Sequence, residues 1–275
     1  MTPQTDSLGS DCALSWGTLV EPPQITRPNG VEAFSIEVQE LIKYPGLLDE
    51  EFFDEPCGSI EDERFDQIYP SKVRELSWRH WTPVSIAIEA AKLLVTGPRT
   101  RVLDVGCGPG KFCLVAAALT DARFTGIEQR SDLVAIARRA ALKHRLINVE
   151  IIHGNVTDFS FAGYDAFYLY NPFEENMFQR QKIDSLVPLS KALFEKYTGY
   201  VAEQLGNRPI GTRVVTYAGS ASEIPACYDC KQTLIQDDLK LWIKTREYVP
   251  ERFDADESLC EVFSNTEVRK GNDDI

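Results

Sequence analysis

The chain has 275 residues, 43% of them hydrophobic and 26% charged, a profile that excludes disordered and fibrous classes. It counts 29 Lys and Arg against 42 Asp and Glu, a formal net charge of -13. That balance points away from a polyanionic partner, although a local basic patch is compatible with it.

The first residues carry Asp6 and Asp11 and no basic side chain. This is neither a secretory nor an Arg-rich transit pattern, and it predicts a cytoplasmic protein. Residues 1 to about 60 are rich in Pro, Gly and acids, with a helix-like stretch at Val31–Tyr44. The expected organisation is an N-terminal extension (1–80), a core domain (81–246) and an acidic C-terminal tail (247–275). No apolar run approaches the roughly 20 residues that span a bilayer. The seven cysteines are scattered, and Cys227-Tyr-Asp-Cys230 has only two of the four ligands a structural zinc needs. Two ordinary thiols and no metal are expected there.

From residue 82 the pattern becomes regular. Thr82 as N-cap and Pro83 at the first helical position predict a helix to Val95. Arg101–Val105 reads as a buried strand ended by glycines, followed by a helix from Pro109 to Leu119. A second strand at Arg123–Ile127 precedes a helix from a Ser131 cap to Lys143, whose Leu133, Ala137 and Ala140 share a face. Val149–Ile152 and Asp165–Tyr170 are further strands. A two-piece helical region is expected from Met177 to Leu205, then a strand at Arg213–Tyr217. Lys231–Ile235 and Leu239–Lys244 read as a closing antiparallel pair turned at Asp237-Asp238. Strands and helices alternating in this way predict an α/β fold with a mainly parallel seven-stranded sheet and helices on both faces. In such sheets ligands sit beyond the carboxyl ends of the strands.

Asp104-Val-Gly106-Cys-Gly108-Pro-Gly110-Lys111 falls at such an end. A P-loop fails there because Val105 stands at the first glycine and Phe112 replaces the metal-binding hydroxyl. A dinucleotide fingerprint fails because the third glycine comes one position early. The segment VLDVGCGPGKF resembles instead the first motif of class I S-adenosylmethionine-dependent methyltransferases. Glu128 ends the second strand eighteen residues after Gly110, where a carboxylate suits two ribose hydroxyls. The loop His153-Gly-Asn155 lies where that family presents a side chain to the adenine amino group. The resemblance covers roughly residues 80–220. It implies S-adenosylmethionine as cofactor and a Rossmann-like sheet, with Asp104, Gly106, Gly108, Gly110, Glu128 and Asn155 holding the cofactor.

Tyr170-Asn171-Pro172-Phe173-Glu174-Glu175 leaves the fourth strand and resembles the fourth motif of amino-group methyltransferases, with one Pro where that motif has two. The likeness implies that Asn171 and the Pro172 carbonyl accept hydrogen bonds from an acceptor amine, that Asn171 also borders the cofactor, and that Phe173 stacks on the acceptor. Glu174, Glu175 or Tyr170 would relay a proton or bind a cationic acceptor. Trp81-Thr82-Pro83 resembles the cofactor-carboxylate segment of adenine-amino methyltransferases, placing Thr82 at that anion. Trp78 and Trp81 suit packing or acceptor contacts equally. Glu61, Asp62, Glu63 and Asp66 are expected to fold over the site and make its entrance acidic.

The implied function is N-methylation of a small-molecule or protein amine. The alternatives are an RNA or DNA amino-methyltransferase, a nicotinamide-dependent oxidoreductase on a similar sheet, and a non-catalytic cofactor-binding protein.

Overall fold

A computed structural model describes residues 59–250 except Gln179 and Gln181. The helix expected at Val31–Tyr44 and the acidic tail from 251 onward lie outside the described residues.

Four helices open the described chain: α1 (Ser59–Asp66), α2 (Ser71–Arg74), α3 (Ser77–His80) and α4 (Val84–Leu94). Strand β1 (Arg101–Val105), helix α5 (Lys111–Leu119), strand β2 (Arg123–Glu128), helix α6 (Ser131–Lys143) and strand β3 (Val149–His153) then alternate. Strand β4 (Ala166–Tyr170) is followed by α7 (Lys191–Gly206), β5 (Arg213–Tyr217), β6 (Tyr228–Leu234) and β7 (Leu239–Lys244). These strands form one sheet in the order β3-β2-β1-β4-β5-β7-β6. The first five are mutually parallel, and β7 runs antiparallel to both β5 and β6. The expected Rossmann-like α/β architecture is therefore present. The strand order reverses between β2 and β4, on either side of β1, and places the crevice at the end of β1.

Alternate strand residues serve opposite faces, as a period of two requires. Val102, Phe124, Tyr168 and Val215 join the core under α4, α5 and α6. Leu103, Ile127, Phe167 and Val214 join the core under α7, where Tyr197, Val201 and Leu205 face the sheet. Every residue of α5 is buried, so its polar lysine must find partners inside the protein.

Four local expectations are corrected. Thr82 does not cap α4; Pro83 occupies the cap position. The Thr82 hydroxyl instead pairs with the Tyr168 phenol at 3.1 Å, and the Val84 N–H donates to Asp62 Oδ1 at 3.0 Å. The cap is thus supplied from α1. Helix α5 begins at Lys111 rather than Pro109, with Gly110 as its left-handed cap. Ser131 is the first residue of α6 and Arg130 its cap, because the Arg130 carbonyl accepts from Val134. The first helical piece expected from Met177 is absent among the described residues; a single 3-10 turn at Glu174–Asn176 leads into irregular chain up to α7.

Candidate functional site

A cleft of about 880 Å³, its open mouth included, lies over the carboxyl ends of β1, β2 and β4. Gly106, Gly108, Glu128, Asn155, Asn171, Phe173 and Glu174 all line it. Thr82 and Asp104 line a smaller adjoining recess together with Lys111 and Phe112. Four residues border both spaces: His80, Trp81, Gly106 and Tyr170.

The glycine loop needs its small residues for close approach. Gly108 has φ +55, and a Cβ there would lie 2.7 Å from the Trp81 ring. Gly106 has φ +74, with Pro172 Cβ 3.0 Å from the same hypothetical atom. An L side chain at either position would be strained and would clash. Gly110 behaves differently: its open side faces Ala137 of α6 and it lines neither space. Trp81 is held in place by its indole N–H, which donates to the Val73 carbonyl at 2.8 Å.

Glu128 is buried and locked by backbone. Its Oε2 accepts the Gly108 N–H at 3.1 Å and its Oε1 accepts the Arg130 N–H at 2.8 Å. Burial pushes its carboxyl above the usual range, while those N–H groups and the Arg130 charge pull it back. A carboxylate has about four acceptor sites, so both oxygens can still receive hydroxyl donors. Asp104 is buried deeper. Burial raises its pKa to about 7, opposed by a hydrogen bond from the Cys113 thiol and reinforced by the Glu128 charge.

Asn155 lines the cleft, but its Oδ1 already accepts from both the backbone and the hydroxyl of Thr157, each at 3.0 Å. Its Nδ2 donates to the Tyr197 hydroxyl at 2.9 Å. Asn171 is the first residue beyond β4 and has φ +40. Its side chain packs on the open face of Gly219 and donates a long bond, 3.4 Å, to Glu174 Oε2. Phe173 is buried, its ring centroid 5.4 Å from that of Tyr197, so most of the ring belongs to the core. Glu174 is exposed and Glu175 is not free.

Glu175 is tied to a group that sequence spacing did not single out. Arg130 is buried and donates to Glu175 at 3.0 Å and to Asp184 at 2.9 Å, with Glu128 4.0 Å away. Glu175 also accepts the Ile183 N–H at 2.7 Å. The guanidinium therefore ties the end of β2 to the irregular chain after β4. Its partners lie 45 and 54 residues away, beyond the reach of any local pattern.

The acidic residues of α1 are also placed differently from expectation. Asp62 and Asp66 do not face the acceptor entrance. They pair with the buried Lys111 ammonium at 2.6 and 2.8 Å, and the Ser77 hydroxyl completes the set at 3.1 Å. A buried cation demands such partners, and Lys111 draws both carboxylates beneath the glycine loop. Cys227 is buried and Cys230 exposed, both as free thiols. Among the described residues no group of three His, Cys, Asp or Glu side chains could hold a metal ion, and no helix is long and apolar enough to cross a membrane.

This arrangement of sheet, glycine loop and strand-end carboxylate defines a class: residues 97–196 match the model of a methyltransferase domain family. The matched segment lies within the Rossmann-like, mainly parallel seven-stranded sheet. Among solved structures it is similar to an RNA methyltransferase from Salinibacter ruber crystallised with S-adenosyl-L-homocysteine (23% identity, TM-score 0.46, 63% of this chain and 98% of that one). It is also similar to TrmN from Thermus thermophilus (18% identity, TM-score 0.47), matching 62% of this chain and only half of that one. A third likeness is to the putative methyltransferase yhhF from Escherichia coli (13% identity, TM-score 0.44, 58% and 86% of the two chains). No curated protein matches the sequence.

Proposed function

We propose that the cleft binds the nucleoside part of S-adenosylmethionine, that the recess takes its amino-acid part, and that the methyl passes to a nitrogen beside Asn171. The observation that carries this reading is the buried Glu128 carboxylate, fixed at the cleft wall by the Gly108 N–H. It suits the paired hydroxyls of a ribose, and Gly106 and Gly108, closely covered by Pro172 and the Trp81 ring, line the same cleft. Thr82 and Asp104 in the recess offer a hydroxyl and a carboxyl to an ammonium-carboxylate group. Asn155 remains a wall residue whose amide nitrogen, rather than its occupied oxygen, is the group available to adenine.

When bound, the sulfonium supplies an activated methyl carbon for in-line displacement. The chain's own residues then have three tasks: to orient the acceptor, to exclude water and to take up a proton. Asn171 and the Pro172 carbonyl supply acceptors for an amine N–H. Phe173 contributes a ring edge at the wall, and Glu174 stands at the rim. The acceptor class favoured by sequence is a small-molecule or protein amine.

One observation supports the second reading, an amino group of RNA or DNA. Residues 59–250 carry 24 Lys and Arg against 23 Asp and Glu, so their net charge is +1. The acidity that argued against nucleic acid resides in the flanks, not in this domain. Calorimetric titration with S-adenosylmethionine tests the cofactor assignment, and labelled methyl transfer into fractionated small molecules, protein and RNA tests the acceptor. A flat titration would overturn the proposal.

A further inference from the structure

We propose that His80 is the catalytic base of this site and that the acceptor is a weakly basic amino nitrogen, one attached to an aromatic or heteroaromatic ring. The inference rests on the cofactor reading above and concerns what stands at its reacting centre. If the nucleoside lies in the cleft and the amino-acid part in the recess, the sulfur between them lies where the two spaces meet. His80, Trp81, Gly106 and Tyr170 border both spaces. Of these, Trp81 donates its only N–H to Val73, and the Tyr170 hydroxyl donates to the Arg79 carbonyl at 2.9 Å. Burial, chiefly, pushes the Tyr170 phenol up to about 12, so it stays protonated. The His80 ring makes no hydrogen bond among the described residues, and its nearest ring neighbour is Trp81 at 5.9 Å. It alone at the junction has a nitrogen lone pair free to take a proton.

The charges around it keep that lone pair available. Burial, then the cations Arg79 on its own helix and Arg130 at the end of β2, hold His80 below its ordinary 6.5. The other ionisable groups lining these spaces are Glu128 from β2, Tyr170 from β4, Glu174 and Glu175 beyond it, Tyr197 from α7, and Asp104, Cys107 and Lys111 in the recess. Glu175 is committed to Arg130, and Lys111 to Asp62 and Asp66. The imidazole is therefore neutral at pH 7.

A base this weak selects its substrate. Removing a proton from an alkylammonium, whose pKa is ordinarily about 10.4, is strongly uphill for an imidazole held below 6.5. An aromatic amino group is neutral at pH 7 and becomes a strong acid only as the new bond forms. In the proposed step the nitrogen lone pair bonds to the methyl carbon, the carbon–sulfur pair stays on sulfur, and the proton passes to an imidazole nitrogen of His80. The imidazolium then returns it to solvent.

The first test needs no acceptor. The three histidines are titrated by NMR, with His80→Gln for assignment, in the presence of S-adenosylmethionine or S-adenosylhomocysteine. A sulfonium beside His80 lowers its pKa by about one unit or more relative to the neutral thioether. His144 and His153 should not differ between the two ligands. Equal His80 values with both ligands bound overturn the assignment, whereas failure of either ligand to bind overturns the cofactor reading instead. The second test offers labelled S-adenosylmethionine with adenosine, with a single-stranded RNA oligonucleotide, and with a lysine peptide plus spermidine. Label in adenosine indicates a small-molecule source of the aromatic amine and label in the oligonucleotide a polymeric one; either supports the proposal. Transfer to the alkylamines alone, or to none of these, overturns the acceptor class. With the accepted substrate, His80→Gln should lower kcat about 100-fold or more and remove the acid limb of its pH profile. An unchanged acid limb would overturn the role of His80.

Discussion

The two sides of the cleft are built by different means. On the side of β1 and β2 the groups are fixed by backbone: Glu128 is held by two N–H groups, and Gly106 and Gly108 shape the wall by lacking a side chain. Beyond β4, fixation comes from side chains reaching across the fold. Asn171 sits at φ +40 against Gly219, and the irregular chain at 175–184 is tied to Arg130. A backbone-fixed wall is specified by a short stretch of sequence and is rigid. A wall held by ion pairs is assembled only when distant segments meet, and it fails when one partner is lost.

Arg130 joins the two sides, so its removal should break the contrast most severely. Arg130→Ala leaves Glu175 and Asp184 with an uncompensated partly buried charge, and a stability loss of about 3–5 kcal/mol is expected in denaturant titration. An effect below about 1 kcal/mol would show that the far wall stands without the ion pairs.

Asp104 probes the near wall through pH. Its folded pKa of about 7 lies above the ordinary carboxyl value of 3.8. Between about pH 4 and 7 the folded chain therefore binds a proton that the unfolded chain does not. Stability due to this group is greatest below pH 4 and falls as pH rises through 7, by on the order of 4 kcal/mol in total. Asp104→Asn should flatten that dependence in denaturant titrations run at pH 5 and pH 8. An identical pH dependence in both proteins would place the titration elsewhere.

Glu128→Gln should weaken S-adenosylmethionine binding by about 1.5–3 kcal/mol, roughly ten- to 150-fold, in calorimetry. The smallest change in cofactor affinity is expected across the cleft. Asn171→Ala should slow methyl transfer while shifting the cofactor Kd by less than about twofold. Equal losses of affinity in these two variants would erase the division of the cleft into a donor and an acceptor side.

The same contrast explains what could be read in advance. The sheet, its helices and the near wall were legible because Asp104, Gly106, Gly108 and Glu128 follow strand ends at short, regular spacing. Arg130 with Glu175 and Asp184, and Lys111 with Asp62 and Asp66, were not, since each set joins residues about fifty positions apart. The false helix at Met177 has a similar origin. Met177, Phe178 and Leu186 supply apolar residues along the segment, yet all three are exposed. That segment is fastened by Arg130, by the Ile183 N–H on Glu175 and by the Ile183 side chain packed on the core, not by a helical apolar stripe.

The buried ammonium of Lys111 also decides how far the catalytic module is portable. The methyltransferase match begins at residue 97, yet the counter-ions of Lys111 sit on α1, more than thirty residues upstream. A graft of residues 97–250 into another protein would strand a desolvated cation beneath the glycine loop, at a cost of several kcal/mol. The smallest transplantable unit therefore begins no later than Ser59. A lineage that shuffled this domain would have had to carry α1 along with it or neutralise Lys111 first.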